Sequence, residues 1–379
     1  VSACHYFDQA LCRSCSQLLI PYQQQLRVKQ TQAGQLLHTV PERAWQSPVA
    51  STTFGFRNKA KVAVGGSIGN VSLGLLDQHR QVDLSECPLY PKALHHALAT
   101  IKQWLNQHQF APYELAARRG ELKFLIISIN QHDELMLRIV LRSRAEVDRI
   151  AKHATQLHAM LGKLSVLSIN LQPTHAAILE GREELALFGE ALTFELNSIP
   201  MQVPPQAFFQ TNSTIAEQLY AKARDALLER GARRLLDLFC GVGGFALHAA
   251  VAGIQAHGVE LSELAVRGAQ QTVRRLETGK LGSIPAIFQA ADAETALALL
   301  EQDFDAVVVN PPRRGIGLAL AGAINASRTR WLCYSSCNPE SLARDLRALS
   351  TFVPERAQLF DMFPNTEHSE VMVMLRRAG

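Results

Sequence analysis

A chain of 379 residues with 47% hydrophobic content is long enough for two or three domains, each with its own core. No apolar run approaches a membrane span, the start lacks the basic and apolar regions of a signal peptide, and a cytoplasmic protein is expected. A formal net charge of +4 permits an anionic partner without demanding one, and seven unevenly spread cysteines argue for reduced thiols over a disulfide framework.

Cys4, Cys12 and Cys15 crowd the first fifteen residues, the last two as Cys-Arg-Ser-Cys, and Cys87 follows in Glu-Cys-Pro-Leu-Tyr. Four thiols of this spacing suit tetrahedral zinc or an iron-sulfur cluster about equally, with the Cys-Pro a small weight toward the cluster. After a short link at Pro48 to Thr53, the stretch Phe56 to Val64 alternates as a strand, placing Arg57, Lys59 and Lys61 on one face. Such a ribbon matches the charge spacing of a phosphate backbone, and a solvated edge strand explains it as well. Ala116 to Gly120 adds a second basic patch. A helix over Lys92 to Gln109, strands over Glu121 to Asn130 and Leu135 to Ser143, a helix to Gly162 and a strand over Leu164 to Gln172 suggest an α+β middle domain with one exposed sheet face.

Near Ser198 the pattern changes. Pro204 to Asn212 leads into a helix that Thr214 and Glu217 are expected to cap and Gly231 to close. A short apolar strand then runs through Asp237 into Phe239-Cys240-Gly241-Val242-Gly243-Gly244, a glycine loop opening the next helix. Such a loop lets backbone approach a nucleotide-like ligand, and Glu260, about twenty positions on, is placed to accept bonds from ribose hydroxyls. Asp292, after a third strand, would lie near an adenine. The spacing is neither GxGxxG nor a P-loop, so the loop gains weight only with the fourth strand, which ends in Asn310-Pro311-Pro312-Arg313. Asn-Pro-Pro is where S-adenosylmethionine-dependent methyltransferases hold the acceptor. Amino-methylating enzymes of that class usually follow it with a stacking aromatic residue, and Arg313 here favours a carbon acceptor that needs covalent activation. Trp331 to Tyr334 forms a further strand, and Cys337 lies in the turn at its carboxyl end, where reactive residues gather. A thiolate there suits addition to uracil C6, which activates C5 as a nucleophile. A base is then needed for the C5 proton, for which Glu370, Glu367 and His368 compete ahead of the strand Val371 to Leu375.

Together Phe-Phe-Gln-Thr-Asn at 208 to 212, Asp-Leu-Phe-Cys-Gly at 237 to 241, Asn-Pro-Pro-Arg at 310 to 313, Ser-Cys-Asn at 336 to 338 and Phe-Pro-x-Thr-x-His-x-Glu ending at Glu370 closely resemble the RNA uracil-C5 methyltransferase family. The resemblance implies a Rossmann-like class I α/β methyltransferase domain at the carboxyl terminus (198–379), an α+β RNA-binding middle domain (48–197) and an iron-sulfur segment (1–47) with its fourth ligand at Cys87. It implies S-adenosylmethionine contacts at Gln210, Phe239, Glu260 and Asn310, with Gly241 and Asp292 beside them, Cys337 as nucleophile and Glu370 as base. It makes Cys4, Cys12, Cys15 and Cys87 ligands of a 4Fe-4S cluster. The cysteine cluster sets the chain apart from the transfer-RNA branch, and its start at the cluster is expected to leave no room for the small β-barrel of another branch. The branch that remains methylates uracil 747 of 23S ribosomal RNA. Another ribosomal or transfer-RNA uracil, or an inactive iron-sulfur RNA-binding protein, are the alternatives, the latter opposed by the presence of Asn310, Cys337 and Glu370.

Overall fold

The structure is a computed structural model and describes residues 3–77, 80–176 and 178–379. In chain order its helices are α1 (His5–Asp8), α2 (Tyr22–Leu36), α3 (Lys92–Gln107), α4 (Val147–Leu161), α5 (Ser213–Glu229), α6 (Gly244–Val251), α7 (Glu263–Leu276), α8 (Ala293–Leu299), α9 (Gly317–Ala326) and α10 (Pro339–Ala348). The strands are β1 (Lys59–Ser67), β2 (Asn70–Asp77), β3 (Arg80–Asp83), β4 (Leu122–Ile129), β5 (Leu135–Leu141), β6 (Leu164–Leu171), β7 (Glu183–Phe188), β8 (Leu192–Leu196), β9 (Ile199–Val203), β10 (Arg234–Leu238), β11 (Gln255–Glu260), β12 (Ala286–Ala290), β13 (Ala306–Val309), β14 (Trp331–Ser336), β15 (Phe352–Phe360) and β16 (Glu370–Arg377). Among the described residues no helix is long and apolar enough to cross a membrane.

The chain divides into two compact units at places other than the boundaries drawn from sequence. Residues up to Cys15 join Phe54–Thr193, while Ser16–Thr53 joins Phe194–Gly379. The reason is apolar. Ala33, Leu37, Val40 and Ala44 are buried with Phe352, Ala357 and Leu359 in the core of the second unit.

The first unit is built on a seven-stranded sheet in the order β3-β2-β1-β4-β5-β6-β7. On one face, Leu94, Leu98, Ile101 and Trp104 of α3 and Ile150 and Leu157 of α4 pack against Val62, Leu125, Ile127, Leu137 and Ile139. The other face is not the exposed one expected from sequence. Ala63, Phe124, Ile126 and Val140 bury there with Leu179 against them, and Arg138, 1% exposed, is paired with Glu180 and Glu184. This changes the reading of the basic ribbon. β1 is an interior strand, Lys59 is buried, and Lys61 lies 3.3 Å from the Glu180 carboxylate. Arg57 precedes the strand, and its Nε donates to the Lys59 carbonyl at 3.1 Å. Neither a solvated edge nor a row of three phosphate-facing cations describes these residues, because Leu179 and the Glu180 carboxylate stand on that side of the sheet.

The second unit carries a sheet in the order β12-β11-β10-β13-β14-β16-β15. The first five strands are parallel, while β16 runs antiparallel to both β14 and β15. The chain goes outward from β10 to β12 and then returns to β13 on the other side, so the topological switch lies between β10 and β13, where an open α/β sheet leaves a crevice at the strand ends. Helix α5 begins one residue earlier than the expected cap. Asn212 is its N-cap, accepting from the Ile215 amide, while Glu217 accepts from the Asn197 amide at 3.0 Å.

Candidate active site

Apart from Gln210, which precedes α5, the functional residues read from the second half of the sequence lie at one edge of this sheet, because each ends or follows a parallel strand or, for Glu370, starts the antiparallel one beside it. On the β10–β12 side, Phe239 takes a left-handed backbone (φ 62°), a conformation that a bulky side chain adopts only under constraint from its surroundings. It turns the chain so that the Gly241 amide donates to Glu260 Oε2 at 3.1 Å and the Ser262 amide donates to Oε1 at 3.0 Å. Gly241 is itself left-handed (φ 56°), and a Cβ built there would meet nothing within 4 Å, so space stands open over the loop. Gly243, by contrast, is close-packed, with the Phe288 ring 2.9 Å from where a Cβ would stand. Beneath the loop lies Asp237, fully buried, with Oδ2 accepting from the Ala246 amide and Oδ1 without a partner; burial raises its pKa to about 8. Asp292 is at the β12 end as expected, but its Oδ1 caps α8 by accepting from both the amide and the hydroxyl of Thr295 at 3.0 Å. Gln210 is buried in the segment leading into α5.

The β13–β14–β16 side holds the reactive pair. The last β14–β16 pairing is Ser336 with Val371, so Cys337 and Glu370 are the residues next to the last pair, one on each chain segment, and they are near enough for the Glu370 charge to act on the Cys337 thiol. Glu370 is 2% exposed, while its competitors Glu367 and His368 face solvent. Its Oε1 accepts from the Ser335 hydroxyl and from Asn310 Nδ2 at 2.9 Å, and Asn310 Nδ2 also donates to the Ser335 carbonyl at 3.1 Å. Burial raises the Glu370 pKa to about 7 against the downward pull of these two hydrogen bonds. The half-buried Cys337 thiol is also raised, first by burial and then by the Glu370 charge, with Arg313 opposing. Three of the named residues, Asn310, Cys337 and Glu370, therefore form one hydrogen-bonded and electrostatically coupled group.

Other members were not singled out from sequence. Asn338 caps α10, accepting from the Glu340 amide at 3.1 Å, and its Nδ2 reaches the Arg313 carbonyl at 2.9 Å, which ties the turn after Cys337 to the loop after Asn310. Buried Asp345 accepts from the Ile316 amide at 2.8 Å and the Tyr334 hydroxyl at 2.6 Å, and stands where any Gly315 side chain would go. The Asn-Pro at 338–339 carries the cap signal, a polar residue ahead of proline at the first helical turn, whereas no local pattern marks Ser335 or Asp345.

In the first unit, Cys4, Cys12 and Cys87 pack around Tyr6, Val82 and Leu84, and the charges of Cys87, Cys12 and Cys4 add to burial in pushing the Cys15 thiol up to about 12. All four cysteines are half-buried. Among the described residues, no three His, Cys, Asp or Glu side chains stand close enough together to grip a single ion.

Residues 21–378 match the tRNA (uracil-5-)-methyltransferase family. Over 99% of both chains, the sequence is 44% identical to the 23S rRNA (uracil(747)-C(5))-methyltransferase RlmC of Halothiobacillus neapolitanus. It is 41% identical to the RlmC of Escherichia coli K12 over 98% of this chain and 99% of the relative. Its fold is similar to the crystal structure of Pyrococcus abyssi tRNA (uracil-54, C5)-methyltransferase, determined with S-adenosyl-L-homocysteine, at a TM-score of 0.79 and 22% identity, covering 96% of this chain and 85% of that one.

Proposed function

We infer that this chain, which belongs to the tRNA (uracil-5-)-methyltransferase family, transfers a methyl group from S-adenosylmethionine to C5 of uracil 747 in 23S ribosomal RNA, in the cytoplasm. The observation that carries the reaction is a half-buried Cys337, just past the last β14–β16 pair, within electrostatic reach of a buried, hydrogen-bonded Glu370. The likeness to the two RlmC proteins supports the choice of uracil.

S-adenosylmethionine supplies a methyl group on an electrophilic sulfonium. The edge fits it: Glu260 offers acceptor oxygens to ribose hydroxyls, and the Phe239–Gly241 turn leaves open space above its backbone. Gln210 and Asn310 complete our proposed donor contacts. On the acceptor side, the Cys337 thiolate forms a bond to uracil C6, and the electron pair of the C5–C6 double bond moves into the enolate. C5 of the adduct then takes the methyl group, and the sulfonium leaves as the neutral thioether. Glu370 removes the C5 proton, the double bond re-forms, and the C6–S bond breaks to return the thiolate. Ser335 and Asn310 both bind Oε1, so Oε2 is the oxygen they leave for the proton. Arg313 favours the thiolate by its charge, opposing burial.

We further propose that Cys4, Cys12, Cys15 and Cys87 ligate a 4Fe-4S cluster. All four thiols are half-buried and three of them, Cys4, Cys12 and Cys87, pack around one apolar patch, which supports this, as does the donor set. Methyl transfer moves electron pairs and needs no one-electron step, so the cluster's role is structural: it ties the start of the chain to the segment around Cys87. A brown protein with four irons per chain is expected on anaerobic purification, and a colourless zinc protein would refute this part. For the function, ribosomal RNA from cells lacking the protein, incubated with purified protein and labelled methyl donor, should gain one methyl group at C5 of uracil 747. Label at any other nucleotide would refute the assignment.

A further inference from the structure

The loop between β15 and β16, Asp361 to Ser369, ends at Glu370 and is buried at Asp361, Met362, Asn365 and Ser369. It has no sheet ladder of its own, and its polar groups are satisfied by the segment 16–53 of the same unit. Lys29 of α2, with a fully buried side chain, donates to Asp361 Oδ1 at 2.7 Å and to the Phe363 carbonyl at 3.0 Å. The Tyr22 hydroxyl donates to Asp361 Oδ2 at 2.9 Å. Gln25 uses both ends of its amide on Asn365, which sits in the left-handed region (φ 65°): Oε1 accepts from the Asn365 backbone amide at 2.9 Å, and Nε2 donates to Asn365 Oδ1 at 3.2 Å. Asn365 also donates through Nδ2 to the Thr53 carbonyl at 2.9 Å and accepts at its own carbonyl from the Gln17 amide.

We propose that the polar face of α2, through Lys29–Asp361 and Gln25–Asn365, positions Glu370 for the proton-abstraction half of the reaction. Stability alone explains this arrangement poorly, because a buried ion pair is often replaceable by apolar side chains at no net cost in stability. What it does supply is a fixed backbone where the ladder stops. Val371 is the last β16 residue paired with β14, and Glu370 keeps its pairing with Phe360 but receives its chain direction from the loop. Its side chain is anchored through one oxygen only, so a shift of the backbone at residue 370 swings Oε2 relative to the base on Cys337. Cys337 itself is set by β14 and α10; α2 packs against α10, but the polar groups of Lys29 and Gln25 are spent on the 361–365 loop and the 17–20 segment and not on α10. Loosening the clasp should therefore slow elimination while sparing thiol addition and methyl transfer.

This inference rests on the covalent route above, and its test separates the two. Lys29→Met and Asn365→Gly, the latter keeping the left-handed backbone available, are followed in single turnover with labelled methyl donor, with denaturing gels resolving methylated protein–RNA adduct from free RNA. Methyl transfer within about twofold of the native rate, with adduct decay slowed about tenfold to a hundredfold, is the expected result, in the range that small misplacements of a catalytic group produce. Equal slowing of both steps, or no slowing of decay, would overturn it. Should Lys29→Met fail to fold, Tyr22→Phe removes only a hydroxyl contact to Asp361 and should slow decay about threefold, a smaller misplacement of the same kind. Glu370→Gln run alongside tests the reading this inference rests on: if it yields no adduct, Glu370 leaves the base role and this inference falls with that reading, whereas adduct from Glu370→Gln with unslowed decay in the α2 variants overturns this inference alone.

Discussion

The two sides of the reactive edge are built differently. On the β10–β12 side, backbone amides of a glycine turn reach one half-exposed carboxylate, Glu260, and the residue after it, Leu261, is 76% exposed. On the β13–β16 side, side chains from three strands close around a carboxylate that is 2% exposed. Water screens the first and not the second, so the environment moves the pKa of Glu370 far from its ordinary value. The lesson is a division of labour. In the proposed reaction the open side would hold a donor whose groups are themselves polar, and the closed side would spend burial on poising a thiol and a base. Substitutions on the closed side should therefore strike kcat and leave donor binding alone, and substitutions on the open side should do the reverse.

The largest expected effect is Cys337→Ala, which should reduce methyl incorporation to background while changing the affinity for S-adenosylmethionine by less than about twofold, since the thiol acts on the base of the RNA and not on the donor. Calorimetry with the donor and a labelled-methyl assay check both halves. Glu370→Gln comes next, with turnover down by about 10² to 10⁴, the usual worth of a positioned base, and with methylated adduct trapped on a denaturing gel. Loss of turnover without any adduct would remove Glu370 from the base role.

A pH series sharpens the same contrast. With a pKa raised to about 7, Glu370 must lose its proton to act, so adduct decay should rise with pH through about 7 and level off above it. Stability runs the other way. A carboxyl group whose folded-state pKa is raised binds its proton more tightly folded than unfolded. Its contribution is therefore full below its ordinary value of 4.5 and is lost as the pH climbs to about 7. Glu370→Gln should flatten that part of the pH–stability curve, as measured by urea titrations at a series of pH values.

The same division decided how much was legible in the sequence. The open side is contiguous: a strand, a glycine turn and an acid at the next strand end announce themselves within about twenty-five residues, and the β10–β11 order followed from that pattern. Cys337 and Asn310 were legible for a similar reason, each closing an apolar strand. Glu370 was not separable from Glu367 and His368 by residue type, because what selects it is burial against Ser335 and Asn310 from strands far away in sequence. The contribution of Ser16–Thr53 to the second unit was missed because its core contacts, Ala33, Leu37, Val40 and Ala44, are spread over the end of α2 and the turns after it, while the buried Gln25 and Lys29 of α2 are polar residues that in a sequence look like a solvated face. Lys59 misled in the opposite way: strand alternation correctly put it with Lys61, but the carboxylate from Glu180 that accompanies that face lies more than a hundred residues downstream.

The smallest effect belongs to the open side. Glu260→Gln keeps the shape of the side chain but removes the charge that the Gly241 and Ser262 amides now meet, and leaves one acceptor oxygen where there were two. A hydrogen bond to a charged group contributes about 1.5 to 3 kcal/mol, and here much of that is recovered by water because the site is half-exposed. We therefore expect KM for S-adenosylmethionine to rise about tenfold, corresponding to about 1.4 kcal/mol, with kcat at saturating donor held within about threefold. Adduct decay should not change at all, because it follows methyl transfer and depends on Cys337, Glu370 and the contacts that position them, none of which involves Glu260. Steady-state kinetics over a range of donor concentrations, together with the adduct gel, measures all three. If Glu260→Gln lowered kcat at saturation as much as it raised KM, the turn at Gly241 would be shaping the transition state as well as holding the donor, and the division between the two sides would not stand.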